Sequence, residues 1–186
     1  SLNKLVQEFD LKRVSKSGAK FSPEKTNWFN QQYMQQKPDA ELTNLFIPIL
    51  SEKGIKRDKK FIEKVVVLIK ERAVFVDDFW GLSSFFFETP TEYDAKASKK
   101  SWKEGTPELM QELITVIAAI EDFSSTNTEK EIKEWITLKE IGFGKVMQPL
   151  RLCLVGKLAG PHLFDIMAMI GKKETILRIE RAIQKQ

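Results

Sequence analysis

The spacing of apolar residues is helical through almost the whole chain. Between residues 42 and 50, apolar side chains recur at positions i, i+3, i+4, i+7 and i+8, which places them on one face of a helix. The same period recurs in five further stretches: 61–69, 109–120, 132–136, 163–170 and 176–183. No stretch of strand length alternates between apolar and polar residues. The pattern therefore predicts an all-α protein.

Capping residues indicate where several of these helices begin and end. Thr106 can cap the helix that follows it, with Pro107 in the first turn. Thr128 and Glu131 have capping-box spacing ahead of the apolar stretch at 132–136. Gly171 follows the stretch at 163–170 and is placed to end that helix. These signals predict a helix start near 106, another near 128, and a helix end at 171.

Two polar breaks divide the chain into three units. The segment "QQKPDAEL" around Pro38 separates a basic N-terminal piece from the first clear helix, and "FSSTNTEKE" separates an acidic middle from a basic end. We predict units at 1–37, 38–123 and 124–186. The first unit is too small to hold a hydrophobic core by itself.

Composition is that of a globular protein: 186 residues, 42% hydrophobic and 30% charged. No apolar run approaches the roughly 20 residues that span a bilayer, and no signal-peptide pattern opens the sequence, so we expect no membrane partner. Cys153 is the only cysteine and His162 the only histidine, which excludes an intramolecular disulfide and any metal site built from several such ligands. The single cysteine fits a reducing compartment, and we predict a cytoplasmic protein.

The net charge of +4 is unevenly distributed along the chain. Residues 1–37 carry +4 and residues 142–186 carry +5, whereas residues 38–141 carry −5. Two basic ends suit a polyanion that is held at two places along its length. Chance variation in the charge of solvated helix faces explains the same numbers equally well.

Two short matches to nucleotide chemistry fail. "GFGK" lacks the upstream glycine and the following Ser or Thr of a phosphate loop, because those positions are Lys139 and Val146. "RVSKS" resembles the mobile lysine loop of class I aminoacyl-tRNA synthetases, but the companion His-x-Gly-His motif needs two histidines. We therefore predict no catalytic residue, no metal and no cofactor in this chain, and no activity from the chain alone.

Two segments carry a resemblance to bacterial glutamyl-tRNA synthetases. "LVQEFDLKRVSKSGAKFSPEKTNWFNQQYM" resembles the stretch that follows their catalytic domain. "GKVMQPLRLCLVGKLAGPHLFDIMAMIGKKETILRIERAIQ" resembles their C-terminal helix bundle. Either motif alone is weak, but together they are specific and they span the chain. By this resemblance the chain looks like an excised C-terminal portion of such an enzyme.

The resemblance implies a multihelical cage that reads the anticodon of tRNA(Glu). It assigns two small anticodon-binding subdomains to 38–123 and 124–186, and a partial stem-contact segment to 1–37. The implied partner is tRNA(Glu), with no DNA, and the implied state is a monomer. ATP and Mg are implied for the complete enzyme only.

The same resemblance assigns individual residues. Arg151 and Arg72 each read an anticodon base, while Gly160 and Leu163 line the anticodon pocket and Lys145 contacts the tRNA there. The residues assigned to the stem contact are Arg13, Lys16, Lys20, Lys25 and Trp28.

Simpler explanations exist for these assignments. Arg151 could only tie helices together, and Arg72 could be a surface arginine paired with Glu71, Asp77 or Asp78. The chain as a whole could be a helical scaffold for protein interactions that binds no RNA.

Overall fold

The computed structural model describes residues 2–14, 18 and 20–185. These residues form helices, turns and loops, and the described ranges contain no strand, which confirms the all-α prediction. The described α-helices are α1 (Leu2–Glu8), α2 (Pro23–Gln36), α3 (Asp39–Glu52), α4 (Lys59–Ile69), α5 (Asp78–Phe87), α6 (Ala95–Ser101), α7 (Thr106–Ala119), α8 (Ser125–Leu138), α9 (Phe143–Val155), α10 (Leu163–Ile170) and α11 (Lys172–Lys185). Two short 3₁₀ turns lie at Leu11–Arg13 and Lys70–Arg72.

The helix start predicted near 106 is confirmed, because α7 begins at Thr106, whereas α8 begins before the start predicted near 128. Helix α8 begins at Ser125, and the hydroxyl of Ser124 caps it by accepting a 3.4 Å hydrogen bond from the Asn127 amide. Thr128 is therefore not a cap but a fully buried residue inside α8. Thr106 is the first residue of α7, where its hydroxyl accepts a bond from the Lys103 amide instead of capping the helix. Gly171 ends α10 as predicted.

One continuous hydrophobic core joins the helices. The aromatic residues of α5 lie inside it, with Phe79 packed edge-on against Phe46 at a centroid distance of 5.4 Å. The core includes residues on both sides of the predicted boundary at 123/124, and α7 packs against α8, α9 and α11. The core thus crosses the second predicted boundary, and the three-unit division stays a prediction.

Arg178 is a buried charge at the junction of α5, α9 and α11. Only 2% of it is exposed, and its Nη1 donates to the carbonyls of Phe85 (2.7 Å) and Leu154 (2.8 Å). Its Nε donates to Glu174 Oε1 at 2.8 Å. Burial lowers the pKa of Arg178, and the Glu174 carboxylate opposes that shift. Three helices are thus joined through one guanidinium.

The N-terminal segment rests on this body through α2. Met34 is the only buried residue in the described part of 1–37, and it joins the main core. The exposed side of the segment is rich in aromatic residues, including Phe21, Trp28 and Tyr33. Its position therefore depends on contacts with the rest of the chain.

Cys153 is fully buried, and burial raises the pKa of its thiol. Among the described residues, no helix is both long and apolar enough to cross a bilayer. The described ranges also contain no cluster of three or more His, Cys, Asp or Glu residues suited to a metal ion.

Candidate nucleic-acid interface

Arg151 lies near the C-terminal end of α9, half-buried against the loop that leads to α10. Its Nη1 donates a 2.8 Å hydrogen bond to the carbonyl of Pro161. The pKa of Arg151 is lowered, first by burial and second by the positive charge of Arg72. The guanidinium is thus oriented by one hydrogen bond and partly withdrawn from water.

Arg72 lies at the end of the 3₁₀ turn after α4 and is exposed. Its Nη1 donates to the carbonyl of Leu68 at 3.3 Å, and its charge is close enough to affect Arg151. No ion pair joins Arg72 to Asp78, whose Oδ2 instead accepts from the amides of Val74 (2.9 Å) and Phe75 (2.8 Å). The fold therefore places the charge of Arg72 close enough to lower the pKa of Arg151, although the two residues are distant in sequence.

Neither arginine has a carboxylate partner in the described part of the chain, where no carboxylate oxygen lies within 4.0 Å of either guanidinium. Two like charges in a partly desolvated place repel each other. Each guanidinium has five N–H donors, and each uses only Nη1 in a described hydrogen bond. The remaining donors suit an electron-rich or anionic group.

Gly160 lies directly against Arg151. Its φ of +137° favours glycine, and a Cβ atom built on it would lie 3.5 Å from Arg151 Nη1 and 3.7 Å from the Phe85 ring. A larger side chain would crowd the guanidinium. Gly160 and Arg151 therefore lie side by side, and their shared role in an anticodon pocket stays a prediction.

Leu163 is the residue of the predicted anticodon pocket that is most deeply buried. It begins α10 and is only 2% exposed, with its side chain in the hydrophobic core. A side chain buried to this degree cannot contact a nucleotide without repacking. Leu163 therefore holds α10 against the core, and its assignment as a residue that lines the anticodon pocket stays a prediction.

Lys145 is exposed in the first turn of α9, about 9 Å along the helix axis from Arg151. It lines an open groove of about 820 Å³ between the starts of α7 and α9. The charged residues of this groove are of both signs: Lys100, Lys103, Lys139, Lys145, Glu104, Glu108 and Glu112. Lys145 thus lies apart from the arginine pair, in a place where phosphate contact is possible but charge is mixed.

The predicted stem-contact residues are on or near α2. Lys25 and Trp28 are exposed on its N-terminal half, and Trp28 packs edge-on against Phe29 at 5.0 Å. Lys20 and Lys25 line a shallow cavity of about 450 Å³. Arg13 is exposed at the end of the first 3₁₀ turn, and Lys16 lies outside the described residues.

A family model with the description "Anticodon binding domain" matches residues 41–183, which is most of the chain. The chain belongs to the anticodon-binding domain family. The match covers α3 to α11 and therefore includes both arginines of the central pair.

Relatives of this anticodon-binding domain are named glutamate–tRNA ligases. The chain is 61% identical to the one from Flavobacterium psychrophilum over 183 residues and 58% identical to the one from Flavobacterium johnsoniae. In both cases the match covers 98% of this chain but 36% of the relative. The chain therefore spans about a third of the length of these relatives.

Solved structures show the same fold. A glutamate tRNA ligase from Elizabethkingia meningosepticum, crystallised in complex with its amino acid, matches with a TM-score of 0.90 at 44% identity. A glutamate-tRNA synthetase from Elizabethkingia anophelis matches with a TM-score of 0.86 at 43% identity. The matches cover 100% of this chain and 37% and 36% of those chains, respectively.

Sequence reasoning missed the contact between α2 and the turn that carries Arg72 in this anticodon-binding domain. Asn30 Nδ2 donates to the carbonyl of Val74, and Gln31 Nε2 donates to the carbonyl of Glu71 at 2.7 Å. In the sequence, "NQQ" reads as an ordinary polar helix face. Its partners lie 40 or more residues away, so no local pattern indicates them.

Proposed function

We propose that this chain is the tRNA(Glu) anticodon-recognition part of a glutamate–tRNA ligase and acts in protein synthesis in the cytoplasm. The observation that carries the proposal is the pair of carboxylate-free guanidiniums, Arg72 and Arg151, inside a domain of the anticodon-binding family. The names of the relatives supply the amino acid.

The geometry suits single-stranded RNA. Bases of an anticodon loop are unstacked, so their edges are open to hydrogen bonds from a planar guanidinium. Arg151 is oriented by the Pro161 carbonyl and keeps N–H groups for such a base, while Gly160 leaves space beside it. In this proposal Arg151 and Arg72 each read one base, and Lys145 neutralises phosphate without reading sequence.

The N-terminal segment has a separate part in the proposal. In this proposal Arg13, Lys16, Lys20 and Lys25 contribute positive charge for the tRNA stem, and Trp28 offers an exposed apolar surface on the same helix as Lys25. Phosphate contacts of this kind fix orientation and register and carry no base information. A tRNA would thus be held at two places, consistent with the two basic ends of the chain.

We assign no catalytic step, metal or cofactor to this chain. The ATP and Mg that a glutamate–tRNA ligase uses belong, in this proposal, to parts of the enzyme outside the described residues. The chain alone is expected to act as a monomeric RNA-binding unit.

The decisive experiment is titration of the chain with a tRNA(Glu) transcript and with transcripts that carry a swapped anticodon, at several salt concentrations. We expect tighter binding to tRNA(Glu), with affinity that falls steeply as salt rises because bound counterions are released. A helical protein scaffold predicts neither result. Equal and salt-insensitive binding of all transcripts would overturn the proposal.

A further inference from the structure

Side chains of helix α2 donate hydrogen bonds to backbone carbonyls before and after Arg72 in the sequence. Gln31 binds the carbonyl of the residue before Arg72, and Asn30 binds the carbonyl of Val74, two residues after it. Gln35 Nε2 adds a longer bond of 3.4 Å to the Glu71 carbonyl. Gln31 and Gln35 lie one turn apart on the same helix face, and Asn30 is the neighbour of Gln31 in the sequence.

The other contacts of this turn come from within the anticodon-binding body. Lys70 Nζ lies 2.7 Å from Asp39 Oδ1, and Asp78 accepts from the amides of Val74 and Phe75. The contacts from Asn30, Gln31 and Gln35 are thus the polar link between the segment 1–37 and the position of Arg72.

A 3₁₀ turn has poorer internal hydrogen-bond geometry than an α-helix, so contacts from outside contribute more to fixing its conformation. Base selection by an arginine depends on where its rigid fork lies, because a bidentate contact tolerates little displacement. The hydrogen bonds from these amide side chains therefore help to fix the position of the Arg72 guanidinium, on which base selectivity depends.

We infer that Asn30 and Gln31 are positioning residues for base selection, and that α2 couples RNA contact at its N-terminal half to the placement of Arg72. Lys25 and Trp28 lie on the same helix, with about 9 Å of axial rise between Lys25 and Gln31. Because a helix of this length moves as a rigid unit, RNA bound at Lys25 would also affect the position of Asn30 and Gln31, and through them the position of the turn. The inference rests on the proposed function of the chain.

The test uses the double variant Asn30→Ala/Gln31→Ala, with Gln36→Ala as the matched control. Gln36 is an exposed glutamine in the last position of the same helix. The measured quantity is the ratio of dissociation constants for anticodon-swapped tRNA and tRNA(Glu). We expect the double variant to lower this ratio about fivefold, roughly the effect of one lost hydrogen bond, and the control to leave it unchanged.

A second arm removes Arg72. If Asn30 and Gln31 act through Arg72, the double variant has no further effect on the ratio in an Arg72→Ala background. Melting temperatures of all variants show whether any change is only a loss of stability, which would alter affinity for every transcript alike.

Two results would overturn the positioning role while leaving the proposed function intact. One is an unchanged ratio in the double variant when Arg72→Ala by itself lowers it. The other is an equal reduction with and without Arg72. A wild-type chain that does not discriminate anticodons would instead overturn the proposed function and this inference together.

Discussion

The carbonyl oxygen of Pro161 accepts a 2.8 Å hydrogen bond from Nη1 of Arg151, ten residues earlier in the chain. This bond ties α9 to the loop before α10, so Arg151 does have a structural role. It also orients the guanidinium and leaves its other nitrogen atoms without described hydrogen-bond partners. A tying role and a reading role are therefore compatible in one residue.

Replacing Arg151 with Ala should weaken tRNA(Glu) binding by ~1–3 kcal/mol and relax the preference at one anticodon base, if the contact is bidentate. The lost bond to Pro161 should reduce the free energy of unfolding by about 1 kcal/mol. Titration with single-base anticodon variants and a thermal melt separate the two effects. A lower melting temperature with unchanged anticodon preference would leave Arg151 a purely structural residue.

Replacing Lys145 with Ala should weaken all tRNAs alike. A lysine that only neutralises phosphate adds about one counterion to the salt dependence, so the slope of log affinity against log salt should fall by about one. The measurement is the same titration at several salt concentrations. A loss confined to one anticodon would instead make Lys145 a reader of bases.

Replacing Arg72 with Gln should narrow the difference in affinity between tRNA(Glu) and a transcript with the tRNA(Gln) anticodon. The guanidinium fork fits one base edge, whereas a neutral amide can pair with more than one. Glu71→Gln is a suitable control, since it changes a neighbouring charge without removing the fork. If the ratio of affinities stays as in the wild type, Arg72 does not select a base.

Replacing Gly156 with Ala should destabilise the fold more than the same change at Gly54. Both glycines have a left-handed φ, +79° and +74°, so both variants carry a similar backbone strain of order 1 kcal/mol. Only at Gly156 would the new Cβ lie 2.8 Å from the carbonyl oxygen of Glu92, whereas Gly54 faces open space. Chemical denaturation of both variants measures the difference, and equal losses would contradict the steric explanation.

The Glu174 carboxylate should make the free energy of unfolding depend on pH in the acidic range. Burial alone would raise its pKa, but hydrogen bonds from Thr89 and Arg178, with the Arg178 charge, lower it overall. A carboxylate whose pKa is lower in the folded protein than in the unfolded chain stabilises the fold at pH values above its unfolded-state pKa. This stabilisation is lost as the pH falls through its folded-state pKa. The difference in unfolding free energy between wild type and Glu174→Gln should therefore be largest near neutral pH and shrink below about pH 4. A constant difference from neutral to acidic pH would contradict this.

The helices were predictable because apolar periodicity is a local property, and the stretches at 42–50 and 163–170 lie inside α3 and α10. The start of α8 was not, because Ser124 and Thr128 are equally able to cap a helix and only packing decides between them. Nothing in the spacing of the sequence indicates that Arg72 and Arg151 lie near each other, and the resemblance to a known family assigned each of them an anticodon base without placing them together. The contacts of Asn30 and Gln31 could not be predicted, because their partners are far away in the sequence.

The buried guanidinium of Arg178 also dictates an order of events during synthesis. Its acceptors on Phe85 and Leu154 lie on α5 and α9, which leave the ribosome before α11 does. Until α11 follows, those two carbonyls lack their charged donor and the junction of the three helices cannot close. The nascent domain should therefore remain open, with its apolar faces accessible to chaperones, until α11 has emerged.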